Sequence, residues 1–469
     1  MKPTESRSRP SSNPRPNSDV RDRSIRQALA VVGGAAALIS LGVLPCATLR
    51  AQQAPGDTRQ IVIGEGSQRF AVPDCIPRRA DAASAEACAT ITQVLRNDIR
   101  FEGLFQFVPE SLVKSIPAQN PDSPNFLDWQ GISAKILVMT RAEVVGADLT
   151  VEVKAYFVDS GQTMLSRRYS GKSDNPRIFA HQASDDIMER TQYKGVARSK
   201  ITFTSDRDSK PDHRSKEIYI VDYDGFNPRR LTVNGSLNIL PTWSPDGRSL
   251  LYVSYRQGQP VIFRASIFEG KSTANVTGEK NSQAFAPAQS PDGKRIAFAS
   301  NRGGSMDIWV ANIDGTSPRR LTQSAAADTA PCWSPTGQEI AFTSSRTGSP
   351  QIWVMDSEGL NVRRLTTVGN YNDACAWSPG KDSEIAYTSR LESGGFDIAV
   401  IDLASRQVRQ VTQGRGSCEY PTWAPNGRHL AFSCNRGGQW QINVANRDGS
   451  TIQSLAAGPG NNVQPDWGP

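Results

Sequence analysis

The chain has 469 residues, enough for two or three domains with cores of their own, and its 38 glycines and 30 prolines mark a turn-rich globular protein. A formal charge of +7 invites a nucleic-acid partner, but the position of the charge excludes one. Residues 1–51 hold eight Lys/Arg and three acids, which leaves 45 basic and 43 acidic residues in the rest and no basic footprint there.

In chain order, residues 1–51 read as a secretory signal peptide. A basic, Ser/Pro-rich leader precedes an apolar run, Ala28 to Leu44, of 17 residues. That is fewer than the roughly 20 a spanning helix needs. Small residues follow, and cleavage is expected after Ala51, although Leu49 departs from the small residue usual at that position. The competing reading is an uncleaved anchor; Pro45 before Cys46 does not fit a lipid-attachment box. Removal of the leader leaves six cysteines in an oxidising compartment, and no C-x-x-C occurs. The mature chain would begin Q-Q-A-P-G-D-T-R, residues 52–59, too polar to order itself.

Residues 52–196 predict a small α/β domain. The order is a strand at 59–64, a helix at 87–100, a strand at 103–108, a polar loop at 115–125, three strands at 134–144, 149–159 and 164–171, and a helix from Pro176 to about Thr191. Ile178, Phe179, Ala183, Ile187 and Met188 give the last helix one apolar stripe. Residues 193–200 read as a linker.

From 197 to 469 the sequence repeats. The motifs P-T-W-S-P-D-G, P-A-Q-S-P-D-G, P-C-W-S-P-T-G, C-A-W-S-P-G-K, P-T-W-A-P-N-G and the final P-D-W-G-P align on Pro245, Pro291, Pro335, Pro379, Pro425 and Pro469, with Gln289 where the others have Trp. A period near 45 residues built of short strands predicts a β-propeller. Each unit gives a strand ending at Trp, a Pro/Gly turn, a strand such as R-I-A-F-A-S, a strand such as D-I-W-V-A-N and a short strand ending in R-R-L-T. The last three begin at Ile201 without a preceding W-S-P strand, and the last W-S-P strand has nothing after it. The expectation is therefore six blades, mainly β, with the C-terminal strand completing the first blade and removing the open edges.

Few residues suggest chemistry. No G-x-S-x-G elbow occurs, and three histidines, His181, His213 and His429, offer little for a triad. His181 reads as a satisfied structural histidine. D-Y-D-G (222–225) and N-I-D-G (312–315) lack the further ligands of a calcium loop and read as turns. No cofactor, metal site, catalytic residue or enzyme activity is expected. One propeller rim is richer. The loops after the second strands carry Arg207, Arg256, Arg302, Arg346, Arg390 and Arg436; the loops before the first strands carry Asn238, Gln283, Asp328, Asn372, Asp373, Glu419 and Asn462. Arginine is favoured at interface hot spots, and the alternative is that these arginines brace the repeat itself. Cys418 and Cys434 fall opposite one another across the A-P-N-G turn and form a disulfide candidate. Cys75 and Cys88 form a second, and Cys332 and Cys375, in adjacent inner strands, read as free thiols.

The six propeller units, together with V-L-R-N-D-I-R-F-E-G-L-F-Q-F-V-P (94–109), D-L-T-V-E-V-K-A-Y-F-V-D-S-G-Q-T-M-L-S-R-R-Y-S-G (148–171) and I-F-A-H-Q-A-S-D-D-I-M-E-R-T (178–191), resemble the TolB family of the Tol–Pal envelope system. The resemblance implies a monomeric periplasmic interaction hub that supports outer-membrane integrity and constriction at cell division. It implies that the lipoprotein Pal docks at the rim and channel mouth, on Gln283, Ala286, Asp328 and Thr329, with Asp373, Glu419, Arg302, Arg346 and Arg390 nearby. It implies that the inner-membrane protein TolA takes the mature N-terminus, including Gln52, Gln53, Asp57 and Arg59. Contact with membranes would be through these partners only. The competing class is a propeller cap or sensor associated with a peptidase or ligand.

Overall fold

The computed structural model describes residues 68–469 apart from 269–271, 276–281, 381–382, 391–393, 414–415 and 456. The leader, the strand expected at 59–64, and Gln52, Gln53, Asp57 and Arg59 lie outside the described residues.

The amino-terminal part contains β1 (Arg69–Ala71), β2 (Ile76–Pro77), α1 (Ala82–Phe101), β3 (Gln106–Phe107), α2 (Glu110–Ser115), α3 (Phe126–Gly131), β4 (Ile136–Val145), β5 (Asp148–Phe157), β6 (Thr163–Lys172) and α4 (Arg177–Arg190). Asp81 starts α1 by accepting from the Ser84 N–H at 2.7 Å. The helix therefore begins five residues before the expected Ala87. Its first turn, A-A-S-A-E-A, is good helix former without an apolar stripe, so periodicity missed it. The sheet runs β3-β1-β4-β5-β6, with β2 also on β4. The strands β4, β5 and β6 are antiparallel neighbours, and β1 pairs parallel to β3 and β4. One core cluster joins Phe70, Ile91, Leu95, Val138, Val153 and Ile187, seating α1 and α4 on the sheet. A second, with Val113, Trp129, Leu137 and Tyr156, packs the α2–α3 segment against it. Those two helices border the expected loop and are too short to show a period. A disulfide ties Cys75 to Cys88 of α1.

The propeller consists of six four-stranded antiparallel sheets. Blade 1 is Asn462–Gly468, Lys200–Ser205, Glu217–Asp222 and Arg229–Arg230, so the C-terminal strand is its innermost. Blades 2 to 6 begin with the inner strands Asn238–Trp243, Ala284–Gln289, Asp328–Trp333, Tyr371–Trp377 and Ser417–Trp423. The second strands are buried almost throughout, because each blade is covered on both faces by its neighbours.

Two sequence signatures have local structural causes. In R-R-L-T the Thr hydroxyl accepts from the first apolar residue of the third strand, as in Ile218 N to Thr232 Oγ1 at 2.9 Å and Ile352 N to Thr366 Oγ1 at 3.0 Å. The second Arg pairs with the residue that opens that strand: Arg230 with Glu217 at 2.9 Å, Arg320 with Asp307 at 2.5 Å. The Trp of the inner strand reaches the previous blade. Trp243 Nε1 donates to the Asp466 carbonyl at 3.2 Å, Trp333 Nε1 to Ala288 O at 3.1 Å and Trp423 Nε1 to Ala376 O at 3.0 Å. Gln289 stands in this series, and its buried Nε2 has no hydrogen-bond partner among the described residues.

The closing strand carries more than its share of links. Asp466 is half-buried, and its carboxylate accepts from Trp243 N at 2.7 Å and Thr422 Oγ1 at 3.0 Å, one on each neighbouring blade. A Cβ on Gly468 would lie 2.2 Å from the Trp243 ring, so only glycine passes there. Trp467 donates to Ser199 Oγ at 2.8 Å and packs with Val196, Ala197, Tyr223 and Phe101 of α1. The segment 193–200 expected as a linker is therefore part of the core: Val196 and Ala197 are buried, and Ala197 N donates to Asp185 at 2.8 Å.

The cysteines require one correction. Cys418 and Cys434 are paired in register and bonded. Cys332 and Cys375, expected as free thiols, are also bonded to each other. Inner strands of neighbouring blades converge toward the axis, which brings these two Cα atoms to 6.1 Å, within the range a disulfide bridges.

Closure by the C-terminal strand makes two predictions for urea unfolding. Trp467→Ala should cost about 3–5 kcal/mol, the usual scale for removing a buried aromatic. Deletion of 463–469 should abolish the cooperative transition, whereas a deletion with an unchanged midpoint would contradict closure.

Candidate functional site

The six inner strands enclose an axial channel of about 660 Å³. Its wall repeats one irregularity. Leu240, Ala286, Ala330, Ala374, Tyr420 and Gln464 occupy equivalent positions with φ between 46° and 57°. At each, the ladder to the second strand slips. Left-handed backbone at residues other than Gly costs about 1–3 kcal/mol and tends to collect at functional sites. The signal was in the sequence: a Pro stands two residues before the Trp position in five units, and it cannot donate to a ladder. Ala286 is one of these six residues. Thr329, Asp373 and Glu419 directly precede three others.

The structure divides the rim residues. Asn238, Asp328, Asn372 and Asn462 are fully buried. They link the rim internally: Asn238 Nδ2 donates to Glu217 at 2.9 Å, Asn372 Nδ2 to Gln351 at 2.9 Å, and Asn462 Nδ2 to Gln441 at 2.9 Å. Asp328 is not a surface residue, as the rim reading expected; it receives Arg346 at 2.8 Å. Gln283, Thr329, Asp373 and Glu419 are half-buried. Asp373 accepts from Thr343 Oγ1 at 2.8 Å, Ala374 N at 2.7 Å and the Tyr371 hydroxyl at 3.2 Å. Burial, and then the neighbouring Asp373, push the Glu419 carboxyl above its usual range.

Five of the six arginines, all but the exposed Arg436, lie over aromatic rings of their own blades. Arg256 stacks on Phe263 at 3.7 Å, Arg302 on Trp309 at 5.0 Å, Arg346 on Trp353 at 4.8 Å and Arg390 on Phe396 at 5.9 Å. Arg207 also reaches across the closing seam to Asn462 at 3.0 Å. The repeat therefore uses these side chains for packing, and of the three rim candidates Arg390 is the most exposed.

A second polar cluster lies where the amino domain meets blade 1. Donor atoms of Asp98, His181 and Asp224 fall within 4.8 Å of one another. The set is a poor cation site: Asp98 is engaged by His181 and Tyr223, and Arg177 already neutralises Asp224. On the other side of Phe101, the Glu102 carboxylate receives Arg428, Asn426 at 3.2 Å and Val196 N at 3.0 Å. Neither cluster was foreseen, because its members come from distant parts of the chain.

The Glu419 shift has a defined sign. A carboxyl whose pKa is higher in the folded than in the unfolded chain favours folding at low pH and loses that contribution as pH rises through the folded value. Glu419→Gln should therefore raise the melting temperature at pH 7.5 by about 1–3 °C, the scale of under 1 kcal/mol in a domain of this size. The gain should vanish below about pH 4, where the wild-type carboxyl is protonated in both states. A lower melting temperature at pH 7.5 would show that the charge is stabilising.

Residues 150–469 match the model of the TolB beta propeller domain and residues 59–164 that of the TolB amino-terminal domain. The propeller match reaches back into β5, ahead of the first blade strand at Lys200. The Tol-Pal system protein TolB of Ruegeria sp. (strain TM1040) is 35% identical over 313 residues, 65% of this chain and 68% of that protein. Its counterpart in Roseobacter denitrificans is 34% identical over 263 residues, 55% of this chain and 58% of its own. The crystal structure of TolB from Acinetobacter baumannii shares the fold, with a TM-score of 0.73 at 23% identity over 86% of this chain and 97% of that one. With family models matched in both its amino-terminal part and its propeller, the chain belongs to the TolB family.

Proposed function

We propose that the protein is a non-catalytic, monomeric interaction hub of the Tol–Pal system in the periplasm. In this reading the lipoprotein Pal docks at the channel mouth and TolA engages the mature N-terminus, and the pair of contacts supports outer-membrane integrity and constriction at cell division. The observation that carries the first contact is the ring of six left-handed residues around an open axial channel. Backbone strain repeated in every blade is retained in a closed ring that over-determines it, and it shapes a concave, rigid seat. In this reading the seat is formed by Ala286, Thr329 and Asp373, which line the channel, with Gln283, Glu419, Arg302, Arg346 and Arg390 contributing from beside it. The two acids favour a partner segment that brings hydrogen-bond donors or positive charge. Asp328 contributes by holding Arg346.

Thr329→Arg tests the seat. Thr329 is half-buried on the channel wall, so a long charged side chain there should obstruct a partner while leaving the blade intact. Binding to purified Pal, read by calorimetry, should weaken by about 30-fold or more, the hot-spot scale of 2 kcal/mol, with little change in melting temperature. Unchanged affinity in a folded variant would move the site elsewhere.

The second contact rests on the composition of residues 52–59, polar, with Pro55 and Gly56 and little apolar surface. Removing 52–59, including Gln52, Gln53, Asp57 and Arg59, from the mature protein should abolish TolA binding and leave Pal binding within a few-fold. Equal TolA binding by the trimmed protein would reduce the segment to a tail.

A further inference from the structure

His181 sits in the joint between the amino domain and the propeller and is 5% exposed. Its Nδ1 lies 2.9 Å from Asp98 Oδ2, and the other Asp98 oxygen accepts from the Tyr223 hydroxyl at 2.6 Å. The remaining ring nitrogen, Nε2, is buried without a hydrogen-bond partner among the described residues and faces Asp224 Oδ2 at 3.7 Å. A neutral imidazole that donates Nδ1–H to Asp98 turns the Nε2 lone pair toward a carboxylate, an acceptor against an anion. A proton on Nε2 converts that repulsion into attraction.

We propose that a proton bound at His181 serves as a structural ligand of this joint: the imidazolium bridges Asp98 of α1 and Asp224 of blade 1, and loss of the proton loosens the amino domain from the propeller.

The groups around His181 fix the sign. From α1 it meets Asp98, with Glu102 one turn on. From its own helix it meets Arg177, which pairs with Asp224 and lies over the Phe226 ring at 3.5 Å. From blade 1 it meets Tyr223 and Asp224, and blade 6 brings Arg428 and His429 to the far side of Phe101. Burial opposes the charged ring, as does Arg177, but the hydrogen bond and charge of Asp98, then the charge of Asp224, outweigh them and hold His181 above its ordinary value. A histidine raised in this way contributes stability that is complete below the unfolded value of about 6.5 and is lost as pH rises through the folded value. Glu102 acts in the same direction, pushed up to about 7 by burial against the pull of Arg428 and Val196 N. His429 does not follow. Burial holds it down to about 4, and its Nε2 lies 2.8 Å from the Phe101 carbonyl, to which the neutral ring donates. Acidification from pH 8 to 6 therefore adds protons to the joint without charging the second histidine.

The chain has three histidines, so a ¹⁵N-histidine NMR titration of the intact mature protein resolves each ring, with His181→Gln assigning the signal. His181 should titrate above 6.5, and Asp224→Asn should lower its midpoint. Amide exchange at residues 98–102 and 222–226, corrected for intrinsic rate, should slow several-fold between pH 8 and 6. A wild-type midpoint at or below 6.5, or exchange protection that does not change with pH, would overturn the proposal; the wild-type titration decides even if a variant misfolds.

Discussion

The whole arrangement depends on one non-covalent closure: a seven-residue strand from the end of the chain, Asn462–Gly468, is the innermost strand of the blade whose other strands begin at Lys200. A propeller bends a row of sheets until the first meets the last, and the join must resist the opening of every other seam. Here the joining strand is tied on both sides. Its ladder pairs it with Lys200–Ser205, Asp466 accepts from blades 2 and 6, and Trp467 anchors the segment that leads in from the amino domain. The Asp466 carboxylate makes the join specific as well as tight, because a strand lacking it would leave the Trp243 N–H and the Thr422 hydroxyl without these partners.

Closure also explains the distribution of polar residues. Once the ring is shut, the blade faces are dry, and the recurrent polar groups inside bond across a seam or to the next strand. The Thr of R-R-L-T, the Asn at the start of inner strands and the indole N–H groups of Trp243, Trp333 and Trp423 each satisfy a backbone or side-chain group on an adjacent element. The same ring holds six non-glycine residues left-handed at the channel wall. The recurrent motif is thus mostly structural, and what varies from blade to blade at equivalent positions is what can discriminate a partner: Phe285, Thr329, Asp373 and Glu419 precede the strained residue in four successive blades.

Much of this was legible before the structure. Fixed spacing and Pro/Gly turns reveal a propeller because each blade is built from local hairpins, and counting half-units reveals the closure. The strands β4–β6 were readable because each is ten residues long and β5 alternates buried with half-buried residues along its length. The start of α1 was not, since its first turn has no apolar stripe. Asp328 illustrates a deeper limit. In the sequence it is one more acid in a rim loop, and only the approach of Arg346 from 18 residues away shows that it is buried. The Cys332–Cys375 link and the Asp98–His181–Asp224 cluster depend in the same way on how blades and domains meet, which no local pattern encodes.

Native-state hydrogen exchange of the C-terminal strand tests closure most directly. If the strand is what shuts the ring, the amides of Val463, Asp466 and Trp467 open only in global unfolding, and their exchange free energies equal those of the central strands Leu250–Val253 and Ile340–Thr343. Exchange of the terminal strand through a separate, cheaper opening, with the central strands still protected, would contradict it.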